Sequence, residues 1–247
     1  FPCIRPREDR AEEVASLPYD VFSLAEARAE IARHPHSFLR IDMAEATLPY
    51  VPEKNDKIIY ETARMLLDAD IADGTYLADE EPHYYLYRLS AADGTSQVGL
   101  VGCVSIDDYL NDDIKKHEKT RADKEIDRMC HVDTCSAHTG PIFLAMRSNG
   151  TLEQAMEKTL ASSPLYDFTA DDGIRHTIWR IDDADDAATI RETLLATPAL
   201  YIADGHHRAA SAVRTGQLRR EANQNVQAES GNAPVSEQIA ADHFLSV

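Results

Sequence analysis

An alternating, tyrosine-rich segment constrains the fold of this chain more than any other feature of its sequence. His83 to Ser90 reads HYYLYRLS, Asp93-Gly94 supplies a turn, and Val98 to Ile106 is again rich in β-forming residues. This pattern predicts an antiparallel hairpin. Because segments with helical spacing lie on both sides of it, we predict the α+β class, with a mixed sheet and flanking helices.

Helices are predicted where a capping signal precedes apolar residues at helical spacing, and strands where short apolar segments end at turn residues. The clearest helix start is the capping box of Ser23 and Glu26. The predicted helices run from this box to about His34, from Asp56 to Ala69, from Thr151 to Ser162, from Ala187 to Leu195 and from His206 to Thr215, where Gly216 should stop the last one. Further strands are predicted at 141–146, 176–181 and 199–203.

Changes in composition indicate how the chain is organised. A boundary near residues 106–110 predicts an N-terminal α+β region, 1–106, and a second region, 107–247. Residues 219–234 are rich in Gln, Asn, Ser and Gly, which predicts a mobile excursion. The last five residues, HFLSV, look like the beginning of a strand, so we expect the natural protein to continue beyond Val247 and the second region to be truncated.

The charge balance narrows the classes of partner. Asp and Glu number 43 against 25 Lys and Arg, which gives a formal net charge of −18. Because affinity for nucleic acid draws on clustered cations, no nucleic-acid partner is expected. No apolar run approaches the roughly 20 residues of a membrane helix, and no secretory signal opens the chain, so we expect a cytoplasmic protein that does not enter a membrane.

The sequence YIADGHHR, which ends at Arg208, is the most informative stretch for function. An apolar strand runs into Asp-Gly, and a helix then begins, whose N-terminus favours anions. Gly205 lets a phosphate approach the backbone, Arg208 can hold its oxygens bidentately, and His206 and His207 add donors. Asp204 could hold Mg²⁺ or accept a hydrogen bond from a substrate. The alternative is an ordinary helix start, capped by Asp204, with merely exposed His and Arg side chains.

A second cluster concentrates cations in this acidic chain: KKHEKT at 115–120, followed by KE at 124–125 and DR at 127–128. The lysines beside Glu118 would favour its ionised form, in which a carboxylate can accept a proton. On spacing alone, a solvated helix with ion pairs between successive turns explains the cluster better. Only the combination with the DGHHR turn favours a functional interpretation.

Together these motifs resemble those of a widespread, largely uncharacterised bacterial family once listed as a domain of unknown function. The motifs are P-Y-D-V at 18–21, K-x-H-E-x-T at 115–120, K-E at 124–125, D-R at 127–128, G-P-I-F at 140–143, H-T-x-W at 176–179 and A-D-G-H-H-R at 203–208. The resemblance covers essentially the whole chain. Because the set is ordered, it is more specific than either cluster alone.

The D-G-H-H-R turn also resembles the phosphate-binding turn of the ParB/sulfiredoxin superfamily, to which a free-serine kinase of archaea belongs. The resemblance implies a ParB/sulfiredoxin-like core in residues 107–247. It implies Glu118 as the general base and Asp204 as a second catalytic group and Mg²⁺ ligand. The residues that it assigns to the nucleotide phosphates are Gly205, His206, His207 and Arg208.

The same resemblance assigns the acceptor substrate to His117, Thr120 and Glu125. In the kinase, a second glutamate shortly after the base helps to bind serine, and Glu125 matches it with a shift of one residue. The stretch of chain between Glu118 and the turn is much longer than in the kinase. We therefore expect the acceptor pocket to differ even if the phosphate chemistry is shared.

The implied function is transfer of a phosphate from ATP or ADP, with Mg²⁺, to the hydroxyl of a small metabolite such as free serine. Phosphoryl transfer depends on positioning and charge neutralisation, which suits these residue types. The alternative from another class is a nucleotide-binding regulatory switch of ParB type, which uses the turn without transfer and needs no base at Glu118. The sequence leaves the nucleotide, the acceptor and the oligomeric state open.

A metal-holding alternative rests on Cys130 and Cys135 with His131 and His138. Their spacing is at the loose end of what zinc sites use, and no second pair of cysteines accompanies them. In a chain of this size without a secretory signal, reduced thiols are the expected state. Thiols that bind no metal are therefore the favoured interpretation.

Overall fold

A computed structural model describes residues 1–120, 122–147, 149–230 and 242–247 of the protein. Its helices are α1 (Ala11–Val14), α2 (Leu24–Arg33), α3 (Leu39–Asp42), α4 (Lys57–Ala72), α5 (Ile106–Leu110), α6 (Ala122–Cys135), α7 (Gly150–Leu160), α8 (Ala184–Leu195) and α9 (His206–Ser230). Its strands are β1 (Ile4–Pro6), β2 (Tyr76–Ala78), β3 (Tyr84–Ser90), β4 (Ser96–Ser105), β5 (Ile114–Lys115), β6 (Phe143–Ala145), β7 (Tyr166–Thr169), β8 (Arg175–Ile181), β9 (Leu200–Asp204) and β10 (His243–Ser246). These elements confirm the α+β class. Within the described ranges, no helix is long and apolar enough to cross a membrane.

Residues 1–101 and 149–195 form one compact unit. Its sheet has the strand order β4-β3-β8-β7, and each neighbouring pair is antiparallel. The pairing of β3 with β4 confirms the predicted hairpin, and Gly94 in its turn has a φ of 90°, which glycine adopts without strain. A separate cluster around α2 and α3 buries Ala27, Leu39, Met43 and Ala46.

Residues 102–148 and 196–247 form a second compact unit, which contains a small sheet in the order β5-β9-β6. β5 runs parallel to β9, whereas β6 runs antiparallel to it. β10 pairs antiparallel with the last residues of β4, and the Val247 N–H donates to the Ile142 carbonyl at 2.9 Å. The strand predicted in HFLSV is thereby confirmed.

One face of α9 completes the core of the second unit. This core consists of Ile106, Ile114, Ile142, Ile202, Ala209, Ala212, Val213 and Phe244. Residues three or four apart lie on the same side of a helix, so His206 shares the buried face of Ala209 and Val213. The packing of this face fixes the direction in which the first turn of α9 presents its side chains.

The predicted end of α9 is wrong. The helix continues through Gly216 to Ser230, so the excursion predicted at 219–234 begins inside it, and residues 231–234 lie outside the described residues. A glycine inside a helix costs only about 1 kcal/mol, which packing can offset. α9 packs along α6, and Arg219 Nε donates to Asp133 Oδ1 at 2.9 Å. Tertiary contacts therefore outweigh the local stop signal.

The two units divide the chain differently from the boundary inferred at residues 106 and 107. The segment 149–195 follows that boundary in sequence but belongs to the first unit. The reason is the pairing of β8 with β3, which extends from Arg175 to Ile181. A single boundary assumes that each region is one continuous stretch of sequence. The first unit is instead built from two stretches, which the pairing of β3 with β8 brings together.

His138 is expected to make the stability of the second unit sensitive to acid. Its Nε2–H donates to the His243 carbonyl at 3.1 Å, and burial lowers the pKa of His138, with the Arg219 charge acting in the same direction. The unfolded chain therefore binds this proton at a higher pH than the folded chain, and stability falls as the pH drops below about 6.5. His138→Gln keeps an N–H donor but does not titrate. Urea midpoints at pH 7.5 and 5.5 should differ less in this variant than in the wild type, and equal differences would contradict the assignment.

Candidate functional site

Three segments of the second unit meet at one edge of the β5-β9-β6 sheet. β5 and β9 are parallel, so their carboxyl ends lie at the same edge, where the chain leaves β5 into the KKHEKT motif and leaves β9 into DGHHR. β6 is antiparallel, with Phe143 opposite Asp204, so the Gly140-Pro141 dipeptide before it lies at this edge too. The topology thus joins two motifs that are far apart in sequence.

The contact between the two motifs is made by Glu118 and His206. Glu118 Oε2 lies 3.4 Å from His206 Nδ1. The Glu118 side chain is 67% exposed, whereas that of His206 is 5% exposed. His117 packs against His206 edge to face, with 4.4 Å between the ring centroids. An exposed carboxylate therefore lies beside a buried imidazole at the start of a helix.

Burial and neighbouring charges determine the protonation of His206. Burial lowers its pKa most, and the proximity of His117 lowers it further. Glu118 and Asp204 oppose this shift without reversing it. Both carboxylates favour the protonated ring, but burial outweighs them.

Arg208 is held between the turn and the segment before β6. Its Nη1 donates to the Pro141 carbonyl at 2.7 Å, and its Nη2 donates to Asp204 Oδ2 at 2.6 Å. These two bonds use two of the five N–H groups of a guanidinium. Arg208 and Asp204 are thus paired with each other, and the guanidinium is presented at the sheet edge in a fixed orientation.

The residues assigned to the acceptor fall into two groups. His117 contacts His206, as described, whereas the Thr120 hydroxyl donates to the Glu125 carboxylate. The Glu125 carbonyl accepts a 3.0 Å hydrogen bond from Ser211 of α9. Among the contacts of the described residues, none joins the Thr120–Glu125 pair directly to Glu118.

Comparison with known proteins adds one finding. The model of a family described as a protein of unknown function, DUF1015, matches residues 1–246. The chain belongs to the DUF1015 family. No curated protein and no solved structure matches it.

In this DUF1015 chain, Gly140 and Pro141 contribute to the site, although sequence reasoning did not assign them to it. A Cβ at Gly140 would lie 3.2 Å from Arg208 Nη1, and the Pro141 carbonyl accepts from that same nitrogen. In the sequence, G-P-I-F was one of the motifs of the family resemblance, and the apolar segment 141–146 predicted only a strand. Only the antiparallel register of β6 shows that its amino-terminal side reaches the turn.

The zinc alternative finds no geometric support. Cys135 is buried and Cys130 is half-buried. Over the described ranges of this DUF1015 chain, no three His, Cys, Asp or Glu side chains converge as metal ligands.

Gly205 is expected to be intolerant of a side chain for two reasons. Its φ is 90°, and a Cβ would lie 3.2 Å from both Nε and Nη2 of Arg208. Gly94 has the same φ but no atom within 4 Å of a Cβ, so Gly94→Ala is the matched control. Gly94→Ala should cost about 1–2 kcal/mol of unfolding free energy, and Gly205→Ala should cost more. Urea denaturation measures both losses, and equal losses would mean that Arg208 moves aside freely.

Proposed function

We propose that this DUF1015 protein transfers a phosphoryl group from ATP or ADP to the hydroxyl of a small metabolite, with free serine as the first acceptor to test. The observation that carries the proposal is the 3.4 Å contact between Glu118 and His206. Glu118, the proposed base, contacts the first residue of α9, which follows Gly205, and this contact supports the proposal. The proposal also takes up the resemblance of the DGHHR turn to the ParB/sulfiredoxin superfamily.

The phosphate would bind at the start of α9. The Gly205 carbonyl accepts the first helical hydrogen bond, from the Ala209 N–H at 2.9 Å, so the amides of residues 206–208 precede that bond. Such amides have no acceptor within the helix and carry the positive end of its dipole. Arg208 keeps N–H groups beyond those that bond to Pro141 and Asp204, and these would bind phosphate oxygens.

Glu118 would act on the acceptor. Its carboxylate is exposed and can therefore reach a substrate hydroxyl. In the transfer, the hydroxyl oxygen forms a bond to the terminal phosphorus while the bond to the bridging oxygen breaks, which releases ADP from ATP or AMP from ADP. Glu118 accepts the hydroxyl proton, a step that requires hydrogen-bond distance more than strong basicity.

Asp204 would be the protein ligand of Mg²⁺. Magnesium typically takes one or two carboxylates and completes its shell with phosphates and water, so the absence of a cage of three donors in the described residues fits this ion. The Asp204 side chain is 68% exposed, and its Oδ2 accepts from Arg208. When bound, Mg²⁺ would neutralise charge on the phosphates.

Two measurements on the unmodified protein test the proposal. Calorimetric titration with ATP and with ADP, each with Mg²⁺, reports binding, and phosphorus NMR reports transfer to serine and to other small hydroxyl compounds. Binding with transfer supports the proposal. Binding without transfer to any acceptor would favour the regulatory switch, and no binding of either nucleotide would contradict both functions.

A further inference from the structure

His206 is buried and yet faces a carboxylate with one of its two ring nitrogens. We infer that His206, with a proton on Nδ1, holds Glu118 in position by donating a hydrogen bond from that nitrogen to its carboxylate. The inference rests on the proposed function and deepens it. It makes His206 a positioning residue for the base rather than a ligand of the phosphate.

The surroundings of the ring select this tautomer. Nδ1 lies 3.4 Å from Glu118 Oε2, whereas Nε2 is buried and has no hydrogen-bond partner among the described residues. A proton on Nε2 would leave a buried donor unpaired and would turn the Nδ1 lone pair toward a carboxylate. A proton on Nδ1 removes the repulsion and leaves Nε2 as an unpaired acceptor instead of an unpaired donor. The 3.4 Å contact is long for a hydrogen bond, as catalytic contacts often are before substrate binds.

The two partners differ in how firmly the fold holds them. His206 lies on the buried face of α9 with Ala209 and Val213, and the His117 ring packs against it. Glu118 follows the two-residue strand β5, is largely exposed, and has His206 as its one partner among the described contacts. The buried imidazole would therefore restrict an exposed carboxylate, and misplacement by 1 Å can cost a base about 10²-fold in rate.

Kinetics of two His206 variants test the positioning role. His206→Leu fills the buried space but removes the donor, so kcat for transfer should fall by about 10²-fold while KM for the nucleotide stays unchanged. His206→Asn places an amide N–H near the position of Nδ1 and should restore most of kcat. His138→Leu, which removes another histidine of the same unit, controls for lost stability. An unchanged kcat in His206→Leu, or a rise in nucleotide KM instead, would overturn the inference.

A spectroscopic measurement keeps the inference testable if a variant fails to fold. Nitrogen-15 NMR of histidine side chains in the wild type distinguishes the two neutral tautomers. The His206 ring should show a protonated Nδ1, and Glu118→Gln should shift that resonance. A proton on Nε2 would overturn the inference while leaving the proposed function intact. Absence of transfer in the wild type, by contrast, would overturn the proposed function and with it any role of His206 in transfer.

Discussion

Glu118→Gln is expected to lower the rate of the proposed phosphoryl transfer by about 10²–10⁴-fold, because it keeps the size of the side chain but removes the proposed base. Affinity for the nucleotide should stay nearly constant, since Glu118 is assigned to the acceptor and not to the phosphate. Glu157→Gln removes the same charge from the exposed surface of α7 in the other unit and serves as the control.

Arg208→Ala should separate nucleotide binding from proton transfer. It removes a charged contact assigned to the phosphate, so binding should weaken by about 1.5–3 kcal/mol and transfer should slow as well. Arg219→Ala removes an arginine from the same helix, where it pairs with Asp133, and should leave nucleotide binding unchanged. Calorimetric titration of each variant with the nucleotide measures these affinities. An equal loss of nucleotide binding in Glu118→Gln and Arg208→Ala would mean that Glu118 is structural or a metal ligand.

Arg40→Leu is expected to have the largest effect on stability. Arg40 pairs with Asp70, whose side chain is 3% exposed, and burial raises the pKa of Asp70 in spite of that pairing. Removal of one partner leaves a buried charge uncompensated, which costs about 3–5 kcal/mol of unfolding free energy. Because protonation relieves that charge, the loss should be smaller at pH 5 than at pH 7.5.

Two controls define this effect. Replacement of both Arg40 and Asp70 by leucine removes both charges and should recover much of the lost stability. Arg10→Leu breaks an exposed pair with Glu13 in the same unit and should cost less than about 1 kcal/mol. Urea denaturation at both pH values measures all three. Equal losses for Arg10→Leu and Arg40→Leu would show that burial of the pair is unimportant.

Local patterns in the sequence predicted much of the secondary structure. The hairpin of β3 and β4, the capping box before α2 and the strand that ends at Asp204 all depend on nearby residues, and all are present. The end of α9 was predicted wrongly because a glycine is a weak signal against packing along a whole helix. Short-range rules therefore work best where long-range contacts do not compete.

In the candidate site, too, local patterns predicted the residues but not the long-range contacts between them. The sequence indicated the two motifs that carry Glu118 and His206, but not the contact between them. That contact depends on β5, a strand of two residues without a periodic pattern, and on its parallel pairing with β9. Gly140 became recognisable as part of the site only through the register of β6. The position of Glu118 and Gly140 beside the turn therefore follows from pairing between strands that are distant in sequence, which no local pattern predicts.

The interleaving of the two units also sets the order in which the protein can mature during synthesis. A nascent chain that has emerged as far as residue 195 holds every strand of the first unit, but its KKHEKT motif still lacks the neighbouring strand and helix. Domains generally fold as units while the chain emerges from the ribosome, so the first unit can form before the second is complete. Glu118 leaves the ribosome early and acquires its partner late. Prematurely terminated chains would therefore carry a folded first unit without the candidate site, which needs residues up to at least Arg208.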